Sequence, residues 1–348
     1  MKKALILVFL VNIPLCAMSA VTSPLLSKNP IFKKINQDKA DLGKKLFFDP
    51  RLSADGTISC NSCHNLMSNG SDHRSGSVGV NAQVGGRKSP TVWNAALMSA
   101  MFWDGRAKSL EEQAKGPLTN PIEMAMPSEK AVEERVRSIP GYNPLFTKVF
   151  NDHKNPVTID RIAEAIAEFE RTLITPDSPF DLYLSGQTKA ISEQAKKGYQ
   201  LVQSIGCTTC HNGRNFAGPD LPQGTPFLMK FPMFPGTDYE KKYKLTEDTG
   251  RFSVTKEESD KNLWRVPGWR NVALMAPYFH NGSVKTLNEA VTVMAKTQLG
   301  KDLTKDQVSQ IVSFLESLTG VRPELTLPRL PDLKEGTTLN WQAWTTQS

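Results

Sequence analysis

Two copies of the pentapeptide Cys-x-x-Cys-His, at residues 60–64 and 207–211, constrain this 348-residue chain more than any other feature. In such a pentapeptide the two thiols add to the vinyl groups of a haem, and the adjacent imidazole becomes an axial ligand of its iron. A single four-cysteine zinc site is the alternative, but it does not require a histidine directly after each cysteine pair. The motifs therefore predict two covalent c-type haems. Their attachment residues are Cys60, Cys63, Cys207 and Cys210, and their proximal ligands are His64 and His211.

Residues 1–20 have the pattern of a signal peptide. Lys2 and Lys3 precede an apolar run over residues 4–15, which is too short to span a membrane, and small residues follow at 17–20. Cys16 leaves a lipoprotein open, although Pro14 and Leu15 are not the small residues that such a site prefers. Because c-type haems are attached outside the cytoplasm, we expect a periplasmic protein without a membrane span.

The basic charge does not indicate a nucleic-acid partner. The formal net charge is +7, and loss of Lys2 and Lys3 with the signal peptide would lower it to about +5. The four propionates of two haems would lower it further, to about +1. The sequence also lacks a Lys/Arg cluster with interleaved aromatic residues. We therefore expect a solvated basic surface.

Each motif lies in a similar sequence frame, which predicts a mainly α fold with two cytochrome c-like haem domains and long loops. A helix is predicted over residues 38–48, ended by Asp49-Pro50, and another after the N-cap Ser192. Gly43 and Gly198 are costly inside these helices, so each indicates a close helix crossing. An amphipathic helix closes each half. The apolar stripes are Ile159, Ile162, Ile166, Phe169 and Leu173 in the first half, and Val308, Ile311, Val312, Leu315 and Leu318 in the second.

These patterns divide the chain into four parts. Residues 1–20 form the signal peptide, 21–176 the first haem domain and 177–321 the second haem domain. Residues 322–348 form an extended tail, which we expect to run back over the first domain.

The ligand opposite each proximal histidine decides between electron transfer and catalysis. An iron with two strong protein ligands passes electrons, whereas one with an open or labile face can bind peroxide. Met294 lies on an apolar stripe with Leu287, Ala290 and Val291, so the pattern alone allows a core residue or a thioether ligand.

Further segments extend the pattern beyond the two motifs. They are LGKKLFFDPRLS (42–53), SPTV (89–92), FWDGR (102–106), QAKGP (113–117), GRF (250–252), VP (266–267), RNV (270–272), APYFHNGS (276–283) and QLG (298–300). In these segments and their order, the chain resembles the bacterial di-haem cytochrome c peroxidases, which include the MauG-type enzymes. The resemblance runs from about residue 38 to 320 and covers both halves.

The resemblance assigns roles to five residues. Met294, fourteen residues after His280, corresponds to the methionine that ligates the electron-transfer haem. Glu123 corresponds to the glutamate that moves protons at the peroxidatic haem, where Gln113 and Pro117 wall the pocket. Trp103 corresponds to the tryptophan between the two haems. Without the resemblance, Glu123 is equally well a loop carboxylate and Trp103 a core residue. His280 is then expected to support the interface through hydrogen bonds.

The chain departs from this family at two positions. Many members close the peroxidatic haem with a loop histidine, but the matching residue is Val80, which cannot bind iron. His73 in the same loop is an alternative iron ligand, although at a different spacing. We favour the other interpretation, in which the first haem has an open face in the oxidised enzyme. Lys88 stands where the family has an asparagine ligand of calcium, which puts calcium in doubt. Its ammonium would then lie against backbone carbonyls near Met275 and Pro277.

The predicted function is two-electron reduction of hydrogen peroxide to water by a small periplasmic donor, either a cytochrome c or a cupredoxin. A MauG-like enzyme that oxidises residues of a protein partner is the second hypothesis, and Met294 argues against it because MauG-type members carry tyrosine there. A non-enzymatic di-haem electron carrier is the third. Members of the family are commonly homodimers.

Overall fold

The computed structural model describes residues 35–333 and 339. The predicted signal peptide, Cys16, and residues 334–338 and 340–348 of the predicted tail lie outside the described residues. The described helices and strands are α1 (Gln37–Phe48), α2 (Cys60–Cys63), α3 (Leu110–Thr119), α4 (Glu129–Ser138), α5 (Tyr142–Phe150), α6 (Ile159–Glu170), α7 (Pro179–Leu184), α8 (Glu193–Ser204), β1 (Leu228–Lys230), α9 (Asp238–Lys242), α10 (Phe252–Thr255), β2 (Leu263–Arg265), α11 (Leu287–Leu299) and α12 (Lys305–Glu316). The fold is therefore mainly helical, as predicted.

Helix α1 crosses α6 in the first half. Asn36 caps the start of α1 by accepting a hydrogen bond from the backbone N–H of Lys39 at 3.1 Å, and Asp49 caps its end. Gly43 lies at the crossing, where a Cβ atom would overlap the carbonyl oxygen of Ala165. The predicted helix, its end at Asp49 and the close crossing at Gly43 are confirmed.

Helices α8 and α12 repeat this arrangement in the second half. Ser192 is the N-cap of α8, and its hydroxyl accepts a hydrogen bond from the N–H of Ala195 at 3.1 Å. A Cβ atom at Gly198 would overlap the carbonyl oxygen of Gln310 in α12. The cap and the crossing are thus confirmed here too, and each half is built on one crossed helix pair.

Strands β1 and β2 form a short antiparallel pair in which Met229 faces Trp264. This pair was not predicted, since the sequence indicates only long loops between the helices. Three residues per strand are too few for an alternating apolar pattern to appear, so the pairing depends on contacts between distant segments. The pair brings Trp264 and Arg265 to the seam between the halves, where the backbone N–H of Arg265 donates to the carbonyl oxygen of Trp103 at 2.8 Å.

The described part of the tail contacts the first half. Lys45 Nζ donates to the carbonyl oxygen of Arg329 at 2.7 Å, and Arg51 Nη1 donates to that of Pro331 at 2.9 Å. Leu339 is buried in the hydrophobic core of the first half. Among the described residues, no helix combines the length and apolar character that a membrane crossing needs.

Candidate functional site

One continuous cavity of about 660 Å³ lies between the two halves. Its wall contains every residue to which the sequence analysis gave a role in haem binding or catalysis. They are Cys60, Cys63, His64, Trp103, Gln113, Pro117, Glu123, Cys207, Cys210, His211 and Met294. The fold thus brings together side chains that are up to 234 residues apart in the sequence.

The first motif forms the helical turn α2. Ser59 and Ser62 cap this turn reciprocally, and the N–H of His64 donates to the carbonyl oxygen of Cys60 at 2.9 Å. The Nδ1 atom of His64 lies 2.9 Å from the carbonyl oxygen of Pro90. Because a carbonyl only accepts, Nδ1 carries the proton and Nε2 keeps its lone pair for a metal.

The second motif repeats this geometry with a tighter turn over Cys207–Thr209. The Nδ1 atom of His211 lies 3.0 Å from the carbonyl oxygen of Phe216, and the ring stacks on Trp269 with centroids 4.3 Å apart. Burial lowers the pKa of His211 to about 4, so its imidazole is neutral near pH 7. Both proximal histidines therefore offer a neutral Nε2.

The arrangement fits haem better than zinc. The two cysteines of each motif lie on the wall of a large cavity, beside an imidazole whose Nδ1 is already engaged. Burial raises the pKa of Cys63 and of Cys207 to about 11, which keeps these thiols protonated. Within residues 35–333 and 339, no three His, Cys, Asp or Glu side chains converge as metal ligands would, so the four-cysteine zinc site has no support.

Met294 belongs to α11, whose N-cap Thr286 accepts a hydrogen bond from the N–H of Glu289 at 3.2 Å. The side chain is half-buried and packs against a core cluster that includes Trp264 and Val293. It lies on the wall of the same cavity as His211. Met294 is thus both part of a core cluster and part of the cavity wall.

Glu123 lies in a turn just after α3. The N–H of Glu123 donates to the carbonyl oxygen of Asn120 at 3.0 Å, and Asn120 Nδ2 donates to Glu123 Oε1 at 2.8 Å. Burial raises the pKa of Glu123, while the charge of Arg106 and the hydrogen bond from Asn120 act in the opposite direction. Gln113 and Pro117 reach the same cavity wall from α3.

The loop over residues 77–83 packs against the Glu123 turn. The N–H of Val80 donates to the carbonyl oxygen of Glu123 at 2.9 Å, and Gln83 Nε2 donates to that of Pro121 at 3.0 Å. Gly79 leaves no space for a Cβ atom, which would overlap the carbonyl oxygen of Ile122. Val80 itself is 1% exposed and is absent from the cavity wall. This loop thus holds the backbone of the turn that carries Glu123.

His73 does not substitute for the missing loop histidine in this conformation. Its Nε2 lies 2.6 Å from Ser68 Oγ, and its Nδ1 lies 2.9 Å from the carbonyl oxygen of Ala276. The side chain is exposed and lies away from the cavity wall. Both ring nitrogens are therefore engaged elsewhere.

Lys88 is buried at the seam, with 2% of its surface exposed, but its ammonium does not make the predicted contacts. Nζ donates to Ser71 Oγ at 2.7 Å and to the carbonyl oxygen of Ser89 at 3.4 Å, not to carbonyls of Met275 or Pro277. The prediction was wrong because the side chain turns back toward its own half. Burial lowers the pKa of Lys88 to about 8.

The backbone of Lys88 contributes to the seam instead. Its N–H donates to the carbonyl oxygen of His280, and its own carbonyl accepts from Trp103 Nε1, both at 2.8 Å. The expected side-chain hydrogen bond is not found at His280 Nε2, which is buried and has no partner among the described residues; the ring instead stacks on Trp264 with centroids 3.9 Å apart. Trp103 thus lies at the junction of the two halves.

The sequence analysis missed two residues that shape the site. Asn120 orients Glu123, and the only local signal was its position directly before Pro121, which is typical of a turn. Trp269 stacks on His211 from 58 residues further along the chain, and no local pattern indicated this contact.

Three comparisons agree on the family. A family model described as di-haem cytochrome c peroxidase matches residues 37–189. The cytochrome c551 peroxidase of Pseudomonas aeruginosa is 48% identical over 304 residues, covering 87% of this chain and 85% of that protein. The cytochrome c551 peroxidase of Nitrosomonas europaea is 45% identical over 336 residues, covering 95% and 96%.

Among solved structures, the fold is similar to that of a MauG-like protein associated with microbial copper homeostasis. The TM-score is 0.72 at 25% identity, and the match covers 90% of this chain and 96% of the other. Sequence and fold therefore lead to the same conclusion. This chain belongs to the di-haem cytochrome c peroxidase family.

Proposed function

We propose that this protein is a cytochrome c peroxidase that reduces hydrogen peroxide to water with electrons from a small donor. The observation that carries the proposal is the asymmetry of the cavity wall. The part contributed by the first half carries Glu123, Gln113 and Pro117, whereas α11 of the second half contributes Met294. One haem site is thus supplied with proton-transfer chemistry and the other with a thioether.

The residues present fit two c-type haems, each bound through its cysteine pair, in two cytochrome c-like domains over residues 21–176 and 177–321. His64 would hold the first haem, which would supply an iron capable of binding and reducing peroxide. His64 is oriented for this role by the carbonyl oxygen of Pro90, which fixes the proton on Nδ1.

Glu123 moves the protons that the reaction needs. One peroxide, two electrons and two protons give two waters, and the O–O bond breaks readily only if the departing oxygen is protonated. Glu123 Oε2 takes a proton from one peroxide oxygen and delivers it to the other. Gln113 and Pro117 flank this position on the cavity wall.

The second half receives the electrons. A thioether ligand favours ferrous iron, so a second haem held by His211 and Met294 would have the higher reduction potential. Trp103, hydrogen-bonded to the backbone of Lys88 at the junction, lies on the route between the halves. The proposed electron donor is a cytochrome c or a cupredoxin in the periplasm. This protein would reach the periplasm by export, with removal of its signal peptide at residues 1–20.

We further propose that the first haem is open in the oxidised enzyme. Val80 has no ligating atom, and both ring nitrogens of His73 are engaged away from the cavity. Electron paramagnetic resonance of the oxidised protein tests this, and we expect one high-spin and one low-spin haem. Two low-spin haems with no high-spin signal would contradict it.

Calcium is not expected to be required, because Lys88 replaces the family's asparagine ligand and its side chain has no oxygen that could bind a cation. Full activity after treatment with a chelator is the expected result. Chelator-sensitive activity that calcium restores would overturn this part of the proposal. Because members of the family are commonly homodimers, we also propose a homodimer, which analytical ultracentrifugation of the purified protein tests.

Stopped-flow mixing of peroxide with the fully oxidised and half-reduced enzyme tests the function itself. We expect rapid reaction of both forms and the loss of most of this rate in Glu123→Gln, whose amide cannot accept a proton. A MauG-like enzyme would keep its activity toward a protein partner after replacement of Met294. A di-haem electron carrier would show no peroxide reaction in either redox form.

A further inference from the structure

Asn120 contacts the Glu123 turn more extensively than any other described residue contacts it. Its carbonyl oxygen accepts from the N–H of Glu123 at 3.0 Å and from the N–H of Ala125 at 2.9 Å. Its side-chain Oδ1 accepts from the N–H of Ile122 at 3.0 Å, and its Nδ2 donates to Glu123 Oε1 at 2.8 Å. Backbone and side chain of one residue therefore bind the whole turn.

The orientation of the Asn120 amide is fixed by the backbone. The N–H of Ile122 can only donate, so the atom of Asn120 that it contacts has to be the oxygen Oδ1. The nitrogen Nδ2 is then the atom that faces Glu123, and it carries hydrogens but no acceptor lone pair. Asn120 can therefore donate to Glu123 but cannot accept from it.

This one-way contact determines which carboxyl oxygen of Glu123 takes a proton. A proton on Oε1 along the same direction would meet the N–H of Asn120, so Oε1 stays an acceptor in both protonation states. Oε2 has no hydrogen-bond partner among the described residues, and this oxygen is not fully buried. Since Glu123 lies on the cavity wall, Oε2 is the oxygen left for substrate.

We propose that Asn120 is a positioning residue that confines the exchangeable proton of Glu123 to Oε2 and favours the carboxylate form. This inference rests on the proposed role of Glu123 as the group that moves protons. The other charged group that faces Glu123 is Arg106. Cys60 and Cys63 also face Glu123, but they carry no titratable thiol once they are bound to haem. The loop over residues 77–83, which packs on the turn, contributes no group that titrates near neutral pH.

Two variants test the proposal in the haem-loaded enzyme. Asn120→Asp keeps an acceptor for the N–H of Ile122 but presents a carboxylate to Oε1, so it should raise the midpoint of Glu123 protonation by about one pH unit or more. Asn120→Ser keeps a short acceptor for the turn and removes the Nδ2 amide donor that contacts Oε1, without adding charge, so a smaller upward shift is expected. The matched control is Asn143→Asp, since the amide of Asn143 donates to the carbonyl oxygen of Arg137 outside the cavity.

The primary measurement is infrared difference spectroscopy over a pH titration, with the Glu123 band assigned by its loss in Glu123→Gln. In the unmodified enzyme the C=O of the protonated acid is Oε1, which accepts from Asn120, so the band should move to higher wavenumber in Asn120→Ser. The acid limb of kcat/KM should shift upward together with the band midpoint in Asn120→Asp. Asn143→Asp should change neither quantity.

The outcomes separate this proposal from the proposed function. An unchanged midpoint and wavenumber in both Asn120 variants would overturn the role of Asn120, even if Glu123 proves essential. Full turnover in Glu123→Gln would instead contradict the proposed function. If Asn120→Asp does not bind haem, the wavenumber and midpoint of Asn120→Ser decide the question alone.

Discussion

Replacement of Gly198 by alanine should destabilise the protein through a single steric contact. The Cβ atom would overlap the carbonyl oxygen of Gln310. The distance between these two atoms would be shorter, by more than about 1 Å, than the 3.4 Å at which ordinary van der Waals contact begins. A backbone carbonyl inside α12 cannot rotate aside, so α8 and α12 have to separate. Overpacking of this kind costs about 1–3 kcal/mol, and we expect the upper end of that range.

Helix propensity opposes this cost. Alanine is favoured over glycine inside a helix by about 1 kcal/mol, so the net loss should be about 2 kcal/mol. For a unit of about 150 residues, roughly the size of each half, 1 kcal/mol shifts the midpoint of thermal unfolding by roughly 2–4 °C. Gly198→Ala should therefore lower the midpoint by about 4 °C or more, measured by far-ultraviolet circular dichroism of the haem-loaded protein.

The matched control is Gly116→Ala in α3. Its Cβ atom would first meet the ring edge of Phe102 at 3.2 Å, and a side-chain ring can move by the few tenths of an ångström required. Residue 116 precedes Pro117, whose ring disfavours a Cβ atom in the helical conformation, so this cost offsets the gain in helix propensity and the midpoint should change little. If Gly198→Ala unfolds at the same temperature as Gly116→Ala, the crossing is not as close as we describe, and the reasoning fails.

Three further predictions concern the site. Glu123→Gln should lower kcat by roughly 10²–10⁴-fold. It should also remove the acid limb of kcat/KM, because burial raises the pKa of Glu123 and activity falls as this carboxylate is protonated. An acid limb that persists in steady-state assays of the variant would exclude this role of Glu123. Met294→Ala should lower the midpoint potential of the second haem in a redox titration, whereas Met229→Ala on the same cavity wall should leave it unchanged. Burial lowers the pKa of Lys88 from the ordinary 10.5 to about 8 in the folded protein. Between these pH values the unfolded chain binds more protons than the folded one, so the free energy of unfolding, relative to that of Lys88→Met, should rise with pH. Urea unfolding of both proteins at about pH 7 and about pH 10 checks the sign, and a difference that does not change with pH would contradict it.

The sequence by itself determined the features that depend on short-range chemistry. The two Cys-x-x-Cys-His motifs, the cap at Ser192 and the end of α1 at Asp49 are encoded within a few residues of where they act. Gly43 and Gly198 were informative because a glycine inside a helix requires a reason, and backbone contact between helices supplies it. The family match added the expected roles of Glu123, Gln113 and Met294, which no periodic pattern distinguishes from core or loop residues.

The tertiary structure alone decided where side chains point. Lys88 turns to Ser71 and Ser89, and His73 turns to Ser68 and Ala276, because neighbours distant in sequence determine which polar atoms are within reach. The direction of the Asn120 amide likewise follows from a backbone N–H that only the folded turn presents. A sequence specifies which atoms are available, but a hydrogen bond forms only where the packed chain brings donor and acceptor within about 3 Å of each other.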